Sequence, residues 1–318
     1  TPAGEVKALN GISLQMNEGD VLGIVGESGS GKSVTAYSIM GLIPFPGKIV
    51  GGTIDFNGHR INEMTEAQMR KIRGNEVSII FQDPMTSLNP VYTIGNQIQE
   101  VILLHTDMTK KQAYERSLEL LHLVGINDPK KRLKQYPHEL SGGMRQRIMI
   151  AIALACEPKL LIADEPTTAL DVTIQAQIIE LMMELKEKIN MSIIMITHDL
   201  GIVANMCEKI VVMYGGKIVE RGTSDEIFYN PKHEYTKGLL RSIPKLHAQK
   251  HEKLIPIEGT PIDMLNPPAG CPFAPRCDKC MRICLREMPM YTKISDTHEC
   301  ACWLLQKEAF EASKGGGA

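Results

Sequence analysis

The sequence predicts an α/β fold: a mainly parallel sheet covered by helices on both faces, followed by a small irregular cysteine-rich region. Three observations carry this. Short apolar runs such as VLGIV, KLLIAD and SIIMIT alternate with helix-length stretches, the pattern of strands buried on both faces. A glycine-rich turn follows the first run directly and leads into a helix. Six of the eight cysteines fall between Cys271 and Cys302, after a stretch rich in proline.

Taken in order, DVLGIVGESGSGKS reads as a strand at Val21 to Val25, a glycine turn, and a helix entered at Lys32. GGTIDFNGHRI reads as a hairpin turned at Asn57-Gly58. A strand at Val77 to Phe81 precedes a mostly helical stretch from about Thr93 to Tyr136, and another helix opens after Ser141. KLLIADEP is an apolar strand ending in acids, followed by a helix near Val172 to Asn190. SIIMITHD is a further buried strand, and KIVVMYGGKIVERG a hairpin around Gly215-Gly216. Beyond Pro244 the chain turns polar and aperiodic, so residues 245–270 read as a linker or wrapping segment. The cysteine region covers residues 271–304, and residues 305–318 read as a flexible tail.

Composition excludes several function classes. With 43% hydrophobic residues, 23% charged residues and a net charge of −2, the 318-residue chain has a globular balance and no sign of a polyanion-binding surface. No apolar run approaches the ~20 residues of a membrane span; IMIAIALACEP is cut short by Glu157 and Pro158. No secretory signal is visible. The chain starts at Thr1, so the natural N-terminus is expected upstream. Cys156 and Cys207 stand alone in apolar segments and read as reduced core thiols.

Gly26 to Ser33, GESGSGKS, fits G-x-x-x-x-G-K-[ST] between a strand and a helix. Glycines let successive backbone N–H groups turn inward around phosphate oxygens, and the helix N-terminus adds its partial positive charge. Lys32 is placed to reach the β- and γ-phosphates, and the Ser33 hydroxyl to ligate magnesium. Gly26, Glu27, Ser28, Gly29, Ser30, Gly31, Lys32, Ser33 and Val34 are therefore the candidate phosphate-binding residues. Asp164, at the carboxyl end of its strand, can hold the magnesium shell, and Glu165 can act as general base on an attacking water.

Further motifs name a family. LSGGMRQR at Leu140 to Arg147 resembles the ABC signature, with Met144 where Gln is commoner. FQDP at Phe81 resembles the Q-loop, TALD at Thr168 the D-loop, and ITHD at Ile196 the switch-histidine strand. Their order is similar to that of ABC ATPases over about residues 5 to 225. The resemblance implies an ABC-type P-loop ATPase domain at 1–244, with a helical and signature subdomain at about 93–150. It implies that ATP on one subunit is covered by Ser141, Gly142 and Gly143 of a second. Gln82 would touch magnesium and its water, His198 would hold the γ-phosphate, and Asp171 would act across the dimer interface. An aromatic adenine platform is expected upstream of the phosphate loop. No aromatic precedes Tyr37, so this position is left unassigned.

FQDPMTSLNP, HEYTKGLLRSIP and NPPAGCPFAPRC are similar to the ATP-binding subunits of bacterial oligopeptide and dipeptide importers. That resemblance covers nearly the whole chain. It implies a peripheral subunit on the cytoplasmic face of the membrane, a second ATPase as heterodimer partner, two transmembrane permease subunits, and an extracytoplasmic peptide-binding protein acting indirectly. The solute itself is not legible, since related importers for nickel and other solutes share much of the pattern. The helical stretch would dock the permease, or else fill out the core. The alternative is a soluble ABC ATPase acting on nucleic acid with a zinc-binding tail. It is disfavoured because the chain shows no coiled-coil insert, second ATPase or basic stripe.

The cysteines admit zinc at the closely spaced pairs Cys277/Cys280 or Cys280/Cys284. Disulfides do not suit a protein whose ATP site faces a reducing cytosol. The importer resemblance implies a different set, Cys271, Cys277, Cys284 and Cys302, with Cys280 and Cys300 as neighbours. Wide spacing suits a [4Fe–4S] cluster better than zinc, so the cluster is the expected cofactor beside ATP and Mg²⁺. As a separate metal-folded module, the region is expected to lose metal in Cys284→Ser with nucleotide binding largely intact.

Overall fold

A computed structural model of the chain describes residues 4–168, 170–242 and 256–306. Residues 243–255, which include the start of the predicted linker, and the predicted tail from 307 onward lie outside them.

The main sheet has eight strands: β1 Val21–Val25, β4 Val77–Ile80, β5 Leu160–Asp164, β6 Ser192–Thr197, β7 Lys209–Tyr214, β8 Lys217–Thr223, β9 Thr292–Lys293 and β10 Glu299–Cys300. Their order is β4-β5-β6-β1-β7-β8-β10-β9. From β4 to β7 every pairing is parallel, and from β7 onward every pairing is antiparallel. A separate hairpin, β2 Asp55–Phe56 with β3 His59–Arg60, turns at Asn57 and Gly58, both at positive φ as its tight turn requires. The fourth strand stops at Ile80, one residue short of the expected Phe81.

Side-chain alternation divides the apolar content between two cores. Val21 and Val25 of β1 face one side, with Leu161 and Ala163 of β5; Leu22 and Ile24 face the other, with Leu160 and Ile162. The helices Ile94–His105, Lys110–Leu123 and Gly142–Ala153 deliver Ile98, Leu120 and Ile148 to the first core, all fully buried. The stretch from Thr93 to Tyr136 thus fills out the core, yet it leaves Leu104 exposed, as are Val91 and Tyr92 just before it.

The cysteine region, expected as a small domain of its own, shares this core and extends the sheet. Strand β10 pairs with β8, and the N–H of Ala301 donates to Val219 O at 2.9 Å. Cys271, Phe273, Cys284 and Trp303 belong to the same apolar cluster as β1 and β6. Phe273 packs against Tyr214 and Tyr235 with ring centroids 5.4 and 5.3 Å apart. Ile257 and Ile262 of the predicted linker also pack against this core. The physical reason is economy of apolar surface: so short an irregular segment buries too little by itself and completes its core on the sheet edge.

Polar contacts seal the junction. His298 Nε2 lies 2.8 Å from Glu220 Oε1, both buried, and Arg221 Nε donates to Glu299 Oε2 at 2.9 Å. Burial pushes the Glu226 carboxyl up. Hydrogen bonds from Ser295 Oγ, the Thr223 N–H and Thr297 Oγ1 outweigh that and hold it at about 2. Because the folded pKa lies below the ordinary 4.5, this contribution is complete above 4.5 and fades as pH falls toward 2. Urea unfolding of the chain and of Glu226→Gln should therefore differ most at pH 5 and converge on acidification. A gap that stays constant down to pH 2.5 would refute this linkage.

Candidate functional site

The phosphate-binding loop connects β1 to the helix Lys32–Met40, so it projects from the carboxyl edge of the parallel strands. Gly26 has φ 155°, and a Cβ there would lie 2.2 Å from Met213 O, so only glycine lets the loop leave the sheet here. Lys32 is 5% exposed, and its Nζ donates to Gly26 O at 2.8 Å and Glu27 O at 3.0 Å. Burial lowers its pKa, opposed by the charges of Glu165, Asp164 and Glu27. Ser28 and Gly29 form the exposed tip, Gly31 caps the helix in the left-handed region, and Val34 is half-buried in the first turn. Ser30 Oγ is buried without a hydrogen-bond partner.

Neighbouring strands bring the acids alongside. Asp164 ends β5, and its Oδ1 accepts the Ser33 hydroxyl at 3.0 Å. Burial raises the Asp164 pKa, the Ser33 hydrogen bond opposes it, and Glu165 reinforces it. Glu165 sits at φ 48°, a left-handed conformation uncommon for a non-glycine residue and a mark of a functionally constrained position. Its carboxylate gathers three groups: Gln82 Nε2 at 3.0 Å, Thr168 Oγ1 at 3.0 Å and His198 Nδ1 at 3.3 Å. Gln82 follows β4 and His198 follows β6. Four adjacent strands, β4, β5, β6 and β1, thus deliver all these residues to one edge.

Ser141, Gly142 and Gly143 stand apart from this cluster. Ser141 Oγ caps the helix Gly142–Ala153, accepting from the Met144 N–H at 3.4 Å, and both Ser141 and Gly142 are exposed. Their helix packs beside the start of the helix Val172–Ile189, where a Cβ on Gly143 would lie 3.1 Å from Ile174. Asp171 caps that second helix and is exposed.

The donors at the loop fit their expected ligands. An orphaned buried hydroxyl, inward-turned glycines and a buried lysine suit phosphate oxygens. A serine hydroxyl 3.0 Å from a carboxylate offers the hard oxygen ligands that magnesium takes.

A second constellation lies at the far end of the chain. Cys271, Cys277, Cys284 and Cys302 line one cavity together with His233 and Trp303. The N–H of Cys271 donates to Cys284 O at 2.8 Å, and a Cβ on Gly270 would lie 2.1 Å from that same oxygen. Burial pushes the Cys271 thiol up to about 12, and the neighbouring Cys302, Cys284 and Cys277 push the same way. Cys277 rises to about 11, also by burial first. His233 is 2% exposed; its Nδ1 accepts the Tyr235 N–H at 3.1 Å, while its Nε2 has no partner. Cys280 is exposed and Cys300 is buried in β10, and neither lines the cavity. Among the described residues no three His, Cys, Asp or Glu side chains are grouped to hold a single metal ion.

Sequence reasoning missed the contacts of Tyr235 and Arg276. Tyr235 Oη accepts the Glu27 N–H at 2.8 Å, and Arg276 reaches Glu27 from the cysteine segment. Their motifs, HEYT and APRC, carried a signal only of kinship, because contacts across more than 200 residues have no local pattern.

Comparison with known proteins agrees with this geometry. The family described as ABC transporter matches residues 9–168, and the oligopeptide/dipeptide transporter C-terminal region matches residues 219–284. The dipeptide transport ATP-binding protein DppD of Bacillus subtilis is 53% identical over 100% of this chain and 95% of its own length. The oligopeptide transport ATP-binding protein OppD of Escherichia coli is 52% identical over 91% of this chain and 86% of its own. The ATP-binding cassette MJ0796, solved as a dimer in a post-hydrolysis state with ADP and phosphate, superposes with a TM-score of 0.62. It is 28% identical and covers 68% of this chain and 90% of its own. No helix among the described residues is long and apolar enough to cross a membrane. With its phosphate loop and acids on one sheet edge, and both family matches along its length, the chain belongs to the ABC transporter ATP-binding proteins of the oligopeptide/dipeptide family.

Proposed function

We propose that this chain hydrolyses ATP at the cytoplasmic face of the membrane and powers uptake of dipeptides or oligopeptides through two permease subunits. The observation that carries it is the convergence of Lys32, Ser33, Gln82, Asp164, Glu165 and His198 at one sheet edge. The loop amides and Lys32 bind the β- and γ-phosphates, and Ser33, Asp164 and Gln82 hold the magnesium site. Magnesium, when bound, neutralises charge on the phosphate oxygens. Glu165 accepts the proton as water oxygen attacks the γ-phosphorus and the bond to the bridging oxygen breaks, releasing ADP and phosphate. Gln82 and His198, both on the Glu165 carboxylate, orient that water and the γ-phosphate.

Exposed Ser141 and Gly142 head a helix whose N-terminus is open to an opposing subunit's ATP, which supports a dimer with a second, homologous ATPase. Exposed Leu104 on the helical subdomain of residues 93–150, with exposed Val91 and Tyr92 just before it, suits a permease contact. The cysteine segment of residues 271–304 is read as a metal-folded module on the ATPase domain 1–244, with residues 256–270 wrapping between them. Four widely spaced thiols lining one cavity are what supports reading a [4Fe–4S] cluster there rather than zinc. The orphaned His233 Nε2 beside them supports an acceptor there, such as a thiolate or sulfide. Such a cluster would supply the cationic charge that holds buried thiols as thiolates.

The test has two readouts on the whole chain purified without oxygen and assembled with its permeases in vesicles. ATPase activity should rise with permease and peptide-loaded binding protein and ignore added DNA; stimulation by DNA alone would favour the nucleic-acid alternative. Metal analysis should find about four irons with matching sulfide per chain. About one zinc and no sulfide would replace the cluster with a zinc site.

A further inference from the structure

The cysteine segment reaches into the phosphate loop through one side chain. Arg276, next to Cys277, donates from Nη1 to Glu27 Oε2 at 2.5 Å and from Nη2 to Glu27 Oε1 at 3.1 Å. The pair is bidentate, and the Arg276 side chain is only 4% exposed. Arg276 is itself held rigidly: Nε donates to Glu258 O at 2.9 Å, Nη2 to Ile257 O at 3.1 Å, and Nη1 to Tyr214 Oη at 3.2 Å.

Glu27 is an awkward residue for its place. It is the second residue of a loop shaped for a polyanion, and its carboxylate acts on the charge of Lys32. An unpaired carboxylate there would repel phosphate in a partly buried site, where like charges interact strongly. The loop nonetheless uses Glu27 as its anchor. Its N–H donates to Tyr235 Oη at 2.8 Å, its carbonyl accepts Lys32 Nζ at 3.0 Å, and its carboxylate is clamped by Arg276. We propose that Arg276 is a positioning residue for ATP binding: it cancels the Glu27 charge and fixes the loop, so the cysteine segment braces the nucleotide site. This rests on reading Gly26 to Ser33 as the nucleotide loop.

The experiment is a double-mutant cycle on the full chain, read as affinity for a fluorescent Mg-ATP analogue and as KM against kcat. Arg276→Met leaves Glu27 bare, and affinity should fall roughly tenfold or more, with the loss on KM more than kcat. Glu27→Gln leaves the other Arg276 contacts in place and should cost less. Adding Glu27→Gln to Arg276→Met should restore most of the affinity, a rescue that mere damage to the segment cannot produce. Should Arg276→Met not fold, Arg276→Lys, which keeps the charge without the fork, should show an intermediate loss that Glu27→Gln reduces. Tight binding in every variant, or additive losses in the double, would overturn the proposal while leaving the loop assignment intact. No binding by the unaltered chain would overturn both.

Discussion

Glu165→Gln should lower ATP turnover by roughly 10²–10⁴-fold while nucleotide binding stays near that of the unaltered chain. The substitution is nearly isosteric. Thr168 Oγ1 can still donate to the remaining carbonyl oxygen, and the backbone at φ 48° is unaffected by the change of head group. What disappears is the basic oxygen Oε1, toward which His198 Nδ1 lies at 3.3 Å; Gln82 donates, like Thr168, to the other oxygen at 3.0 Å. Removing a proton acceptor slows the step in which water loses its proton, and it leaves the phosphate contacts of Lys32 and the loop amides untouched. Single-turnover hydrolysis beside equilibrium nucleotide binding separates the two effects. If turnover fell by less than about threefold, another base would have to be sought among Asp164 and His198.

On the proposed [4Fe–4S] cluster, Cys284→Ser should leave the cysteine cavity without metal. A hydroxyl of nearly the same size fills the space but does not replace a thiolate on iron. Cys284 is 9% exposed, its carbonyl receives the Cys271 N–H, and its Sγ receives the Met281 N–H at 3.4 Å. The fold around it should loosen with the metal, by an amount on the order of several kcal/mol in the segment's own stability. Iron and sulfide content, with protease sensitivity of residues 271–304, provides the check; a full metal complement in the variant would exclude Cys284 as a ligand. From sequence, nucleotide binding is expected to survive largely intact. The Arg276–Glu27 bridge predicts a partial loss, comparable with that of Arg276→Met, because Arg276 hangs from the turn that Cys271 and Cys277 bracket.

Much of the site was legible because its chemistry is local. Gly26 to Ser33 announces itself by a spacing that only a phosphate cradle demands, and the capping serine of LSGG stands directly before its helix. The strand at Leu160 to Asp164 could be read with its two acids because an apolar run ending in carboxylates needs no distant partner to be recognised. The cysteine region was legible in composition and obscure in architecture. Its residues show thiol spacing, but nothing in them says that β10 adds to the edge of β8 or that Phe273 packs on Tyr214 and Tyr235.

The sequence by itself determined the local chemistry: a phosphate loop, a pair of acids, a signature helix start and a cluster of thiols. Tertiary structure alone decided which of these meet. Parallel strands ordered β4-β5-β6-β1 set Gln82, Glu165, His198 and Lys32 side by side, although they are scattered over the chain. It left Ser141 exposed and apart, and it fastened Arg276 to Glu27 across 249 residues. The reason is physical: spacing along a chain encodes helix caps, turns and strand faces within a few residues. The meeting of distant side chains depends on strand order and shared core burial, which no local pattern carries.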